Sequence, residues 1–150
     1  MTTRRTVLGA ALSTLFLADS TSAGTEETLK LDLGAYDKVP AVRYPWGWLR
    51  WLMNDEIDPK AELTLGLAYI EAHQSNPLHL HPNSVEIVHI LSGSCEQRLG
   101  EKWMTLKAGD TLRIPRNTPH MARAGNQPML AMIVYDTPKR VMVPVTEEKK

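Results

Sequence analysis

The chain has 150 residues, the length of one ordinary domain, and its 43% hydrophobic and 23% charged residues exclude a disordered protein. Seventeen basic residues balance seventeen acidic ones, and a pI near 7.0 excludes a broad basic footprint for nucleic acid. One cysteine, Cys95, excludes an internal disulfide, while ten prolines and nine glycines cut the chain into short segments that favour strands over long helices.

Residues 1–23 have the layout of a secretory signal. Arg4 and Arg5 precede a 12-residue apolar run from Val7 to Ala18, and a polar stretch ends in Thr21-Ser22-Ala23. The run is shorter than the ~20 residues of a membrane span. Thr3-Arg4-Arg5-Thr6-Val7-Leu8 resembles a twin-arginine signal, with Val7 where Phe is usual. The expectation is export to the periplasm by this route or by general secretion, against the alternative of an uncleaved anchor. Cleavage near Gly24 removes Arg4, Arg5 and Asp19 and leaves 15 basic and 16 acidic residues, a net charge of −1. Twin-arginine export carries folded proteins, which suggests a metal loaded in the cytoplasm. The mature protein is expected to have no membrane segment.

Residues 24–59 read as an N-terminal arm. It is polar at first, then carries Trp46, Trp48 and Trp51, and ends in an acidic turn over 54–60. Residues 60–145 read as a barrel of seven to ten short strands, and 146–150 as a frayed tail. Strands are expected at 63–70, 86–91, 111–114 and 129–135. Segments 95–99 and 103–106 form a hairpin about Gly100-Glu101. A last edge strand falls over 141–145, where Pro144 is tolerated. The fold class is all-β, a jelly-roll barrel or sandwich.

His79 and His81 are two apart, so on a strand both rings point to one face. Glu86 opens a run whose same-face partners are Val88 and Ile90. A carboxylate on an apolar face is costly unless it is paired or bound to a cation. His120, in the turn-rich segment after Pro115 and Pro119, is placed to close the shell. Three imidazoles and a carboxylate without thiolate suit Fe, Mn, Ni, Cu or Zn as a divalent ion. The competing reading is a polar core network without metal.

These residues resemble the cupin superfamily over roughly residues 60–135. The first cupin motif separates His-x-His from a Glu by four residues and that Glu from a Gly by six, as in His79-Leu80-His81, Glu86 and Gly93. Gly109, Pro115 and His120 fall in register with the second motif. Asn117 and Ala124 replace its Gly and Asn, and His73 stands where the first motif has Gly. The resemblance implies a jelly-roll barrel with metal ligands His79, His81, Glu86 and His120. It also implies an enzyme of dioxygenase, decarboxylase, lyase or isomerase type.

The resulting expectation is an Fe- or Mn-dependent metalloenzyme acting on a small molecule, dioxygenase-like or lyase/decarboxylase-like, with Glu86 able to detach as a base. The alternative is a non-catalytic periplasmic cupin that binds a small ligand or metal. A metal-independent sugar isomerase is disfavoured by the full ligand set. A homodimer is expected, with no nucleic-acid partner. His89 has outward parity and a packing role, and His73 is left without a defined place relative to the ligands. The tryptophans are assigned to a core or dimer interface rather than to substrate stacking. Tyr69, Gln97, Trp103, Arg113 and Met132 lie on strands that line the barrel, of which half face inward. Arg113 is the candidate for a carboxylate-bearing substrate. Cys95 is expected to be small, buried and inert.

Overall fold

The computed structural model describes residues 39–146. The signal segment, the first part of the arm and the end of the tail lie outside the described residues. Two antiparallel sheets enclose one core. The larger runs β1 (Val42–Tyr44), β2 (Gly47–Met53), β3 (Thr64–Ile70), β10 (Met129–Tyr135), β5 (Glu86–Ser92) and β8 (Thr111–Ile114). The smaller runs β11 (Val143–Pro144), β4 (His79–Leu80), β9 (His120–Ala124), β6 (Ser94–Leu99) and β7 (Lys102–Lys107). No helix occurs among the described residues, so none is long and apolar enough to cross a membrane.

The pleat explains the core. Along β10, Met129, Ala131, Ile133 and Tyr135 are buried while the residues between them are half-exposed. Val88 and Ile90 of β5 meet them from the same sheet, and Cys95, Leu106, Ala122 and Ala124 face them from the other. This is the expected jelly-roll sandwich, with the expected strands at 111–114 and 129–135 and the hairpin joining β6 to β7. Pro144 sits on the edge strand β11, where no further neighbour needs its missing N–H.

Two elements differ from the expectation. Residues 42–53 are not simply an arm. They form β1 and β2, and β2 pairs with β3 from Gly47 to Met53, placing Leu49 in the core. Residues 120–124 form the inner strand β9, which none of the expected strands covers, since the turn-rich reading over 115–120 ends at His120. Its inward positions after His120 are Ala122 and Ala124, small residues that carry little strand signal but leave room between the sheets.

Gly93 turns the chain from β5 to β6 with φ +73°, and an added Cβ there would lie 2.1 Å from the Pro128 carbonyl oxygen. Side chains occupy two other left-handed positions, His73 (φ 63°) and Asn117 (φ 58°). These are the two places where the sequence departs from a motif glycine, so the backbone turn survives both replacements.

Candidate metal centre

Both sheets contribute to one buried cluster. In the smaller sheet His79 of β4 pairs in register with His120 of β9, and His81 follows β4 directly. In the larger sheet Glu86 of β5 pairs with Tyr135 of β10, so both side chains point inward from adjacent strands. The ring centroids of His79 and His120 are 4.2 Å apart, and His81 lies 4.9 Å from His79 and 5.2 Å from His120. One potential ligand atom from each of His79, His81, Glu86 and His120 lies within 4.8 Å of all the others, and all four residues are buried. The four residues expected from the sequence are therefore brought together.

The backbone fixes which nitrogen of each ring faces the cluster. Nδ1 of His79 meets the Pro77 carbonyl at 2.8 Å, Nδ1 of His81 the Val141 carbonyl at 2.7 Å, and Nδ1 of His120 the Thr118 carbonyl at 2.8 Å. A carbonyl only accepts, so each Nδ1 carries the hydrogen and each Nε2 is turned toward the centre. Glu86 Oε2 lies 2.9 Å from His120 Nε2 and accepts its proton, while Oε1 accepts the Tyr135 hydroxyl at 3.0 Å. His81 Nε2 is 3.3 Å from the same Oε2 but is not aligned for a hydrogen bond, and this buried nitrogen has no hydrogen-bond partner. A buried imidazole nitrogen with no partner costs free energy unless an acceptor of its lone pair is supplied. A divalent ion supplies one, so the donor set fits a metal.

Electrostatics follow from the same contacts. Burial, and then the nearness of His120, push His79 down to about 4, so its ring is neutral at pH 7. Burial opposes charge on Glu86, but the hydrogen bond from His120 and the proximity of His81 outweigh it and hold the carboxyl well below the usual range. Burial likewise pulls His120 down, yet Glu86 reverses this and its basicity is raised. Burial first, then the charge of Glu86, push Tyr135 well above its ordinary value, so it remains a hydroxyl donor.

The remaining sequence candidates separate clearly. His73 is exposed in a turn and does not join the cluster of potential ligands. His89 faces outward and bonds Thr111 Oγ1 at 2.8 Å. Arg113 is exposed on β8, so it does not reach the interior, because its parity is opposite to that of buried Ile114. Gln97 points inward; Met132 lies on the outer parity of β10, and Trp103 is exposed beneath Arg123. Cys95 is buried, and burial raises its thiol to about 11, which suits an inert core residue. Trp46 stacks on Tyr44 and packs on the core, but it also lines a cavity of about 100 Å3 that reaches His79 and Tyr135.

Sequence reasoning missed Tyr135 and Arg140, which line that cavity with Trp46. Tyr135 carried a signal, since an inward phenol at a strand end needs a partner for its hydroxyl. Arg140 lies in irregular chain, where no periodicity assigns a direction.

The cupin-domain family profile matches residues 66–135. The chain is 32% identical over 104 residues to the uncharacterized protein MJ1618 of Methanocaldococcus jannaschii, covering 68% of this chain and 83% of that protein. It is 29% identical over 89 residues to Protein SchB of Streptomyces halstedii, covering 59% of this chain and 64% of SchB. Among solved structures it is similar to a Lactobacillus farciminis oxalate decarboxylase formate complex (TM-score 0.67, 18% identity, 73% of this chain and 34% of that one). It is also similar to the coconut allergen cocosin (TM-score 0.66, 14% identity, 74% of this chain and 31% of that one). The chain spans about a third of the length of these structures, and at such identities the likeness shows the fold alone.

Proposed function

This chain belongs to the cupin superfamily, and on that premise we propose that it is a metal-dependent enzyme acting on a small molecule within the sandwich. The observation that carries the reading is the orientation of three Nε2 atoms and one carboxylate toward a common point, with every Nδ1 anchored on a backbone carbonyl. His79, His81, Glu86 and His120 hold one divalent transition ion, Fe or Mn by preference. Such an ion, when bound with open positions, supplies Lewis-acid or redox chemistry of the dioxygenase or lyase/decarboxylase kind.

The protein's own groups do the rest. Glu86 offsets part of the ion's charge, and Tyr135 holds the carboxylate in place through Oε1. For Glu86 to act as a base it must first leave His120, whose hydrogen bond holds the carboxylate below its ordinary range, where it takes up a proton poorly. Trp46, Leu49 and Met142 give the adjoining cavity apolar walls that exclude water. Export to the periplasm and a homodimeric state belong to the same proposal, the former supported by Arg4, Arg5 and the apolar run that follows.

The alternative is a non-catalytic cupin that binds a small ligand or metal. The cavity at His79 is about 100 Å3, below the ~300–1,000 Å3 of ordinary small-molecule sites, which restricts either reading to a small guest. Oxygen uptake or product formation across a substrate panel separates the two readings. The metal is tested by elemental analysis of the full chain as purified, beside His79→Ala combined with His81→Ala. The expected result is about one transition ion per chain, lost in the double variant. Equal, negligible metal in both proteins overturns the proposal.

A further inference from the structure

The cavity beside His79 and Tyr135 has apolar walls and one permanently charged group, Arg140. The Arg140 guanidinium lies 4.5 Å from the centroid of the Trp51 ring and 5.4 Å from that of Tyr135. Two aromatic rings thus flank the cation, and its N–H groups remain donors that need an acceptor. Among the described residues no ion pair or hydrogen bond occupies those donors. Arg140 and Met142 also border an outer cleft of about 330 Å3, whose other charged groups are Asp55, Glu56 and Lys139. An anion is disfavoured beside those two carboxylates. The inner cavity presents none among the described residues, so its charge preference is set by Arg140.

From this we infer that Arg140 and the inner cavity form a binding subsite for a small carboxylate with a short apolar chain, the substrate class of the centre. The inference rests on the reading of His79, His81, Glu86 and His120 as a metal site. The guanidinium fork matches the two carboxylate oxygens, and a neutral guest of the same shape leaves charged donors poorly matched. Trp46, Leu49 and Met142 receive the chain. The space, about 100 Å3, corresponds to roughly three waters at ~30 Å3 each, which limits the chain to a few carbons.

The test uses the full chain loaded with its metal, with metal content measured on every sample. Propionate and the isosteric neutral propionamide are titrated while tryptophan fluorescence and unfolding temperature are followed. Propionate is expected to bind at least ~10-fold more tightly than propionamide. Arg140→Gln is expected to remove that preference with metal content unchanged, and Arg140→Lys to retain part of it. Equal binding of the two probes to the unaltered protein overturns the subsite, and so does an undiminished preference in Arg140→Gln. The probe comparison stands even where a variant folds poorly. A protein that carries no metal yet still prefers propionate through Arg140 overturns the metal reading and supports the subsite, so the two failures are told apart.

Discussion

Two histidines of the centre are driven in opposite directions although they share one cluster. His79 is neutral, and His120 is favoured as the cation because Nδ1 donates to Thr118 and Nε2 to Glu86. A proton on His120 thus satisfies Glu86 where an ion would otherwise do so, and ion binding must release it. The pH response of the chelated protein follows from His79. Above its ordinary value of 6.5 it is neutral both folded and unfolded; between 6.5 and about 4 the unfolded chain takes up a proton that the folded site refuses. Stability therefore falls as pH falls through this window. His120, with a raised value, contributes stability that is complete below 6.5 and fades as pH rises, so it adds no slope there. Glu86, with a lowered value, stabilises above its ordinary 4.5 and loses that contribution only in stronger acid. The unfolding temperature of chelator-treated protein is expected to drop between pH 6.5 and pH 5, and His79→Gln to flatten the drop. An equal slope in the variant contradicts this assignment.

Among the elements, the segment of residues 136–142 after β10 governs the site without supplying a ligand. Asn83 ties it down twice, its Nδ2 donating to the Lys139 carbonyl at 2.8 Å and its Oδ1 accepting from the Val141 N–H at 2.9 Å. The carbonyl of Val141 then accepts from His81 Nδ1. Arg116 pairs with Asp136 at 2.6 Å, and Thr64 Oγ1 donates to the Thr137 carbonyl at 2.8 Å. Asn83 is thus a positioning residue for His81. Asn83→Ala is expected to weaken metal affinity about tenfold, the usual cost of losing an outer partner of a ligand, with a loss of about 1 kcal/mol in stability. Asn83→Asp keeps the acceptor for Val141 and is expected to fall between the two in metal titration. Unchanged affinity in Asn83→Ala contradicts the positioning role.

This segment also marks where sequence reading stops. The strand at 111–114 was legible from its alternation and that at 129–135 as a short continuous apolar run, and the four ligands were legible from the two-residue spacing of His79 and His81, the acid on an apolar strand face and the motif spacing. The contact of Val141 with His81 uses a backbone carbonyl, which any residue supplies, so side-chain identity carries no trace of it. Arg140 reaches the cavity through the path of a loop, whereas Arg113, on a regular strand, is directed outward by the parity of its neighbour Ile114. The core role expected for the tryptophans holds for Trp46 and Trp51, but β2 itself was hidden because its segment read as part of an arm.

For the whole molecule, the site is a clasp between two sheets. The smaller sheet brings His79 and His120, with His81 just beyond its strand, and the larger brings Glu86 and Tyr135. An ion held by both ties the sheets together, so metal at a hundredfold excess over its Kd is expected to add about 2.7 kcal/mol to stability by mass action. Cys95, buried in the core with its thiol pushed up to about 11, takes no part. X-ray absorption at the metal edge of the loaded protein tests the central claim most directly. The account predicts nitrogen and oxygen neighbours with the scattering pattern of three imidazoles and no sulfur near ~2.3 Å. A sulfur neighbour, or a spectrum without multiple imidazoles, would contradict it.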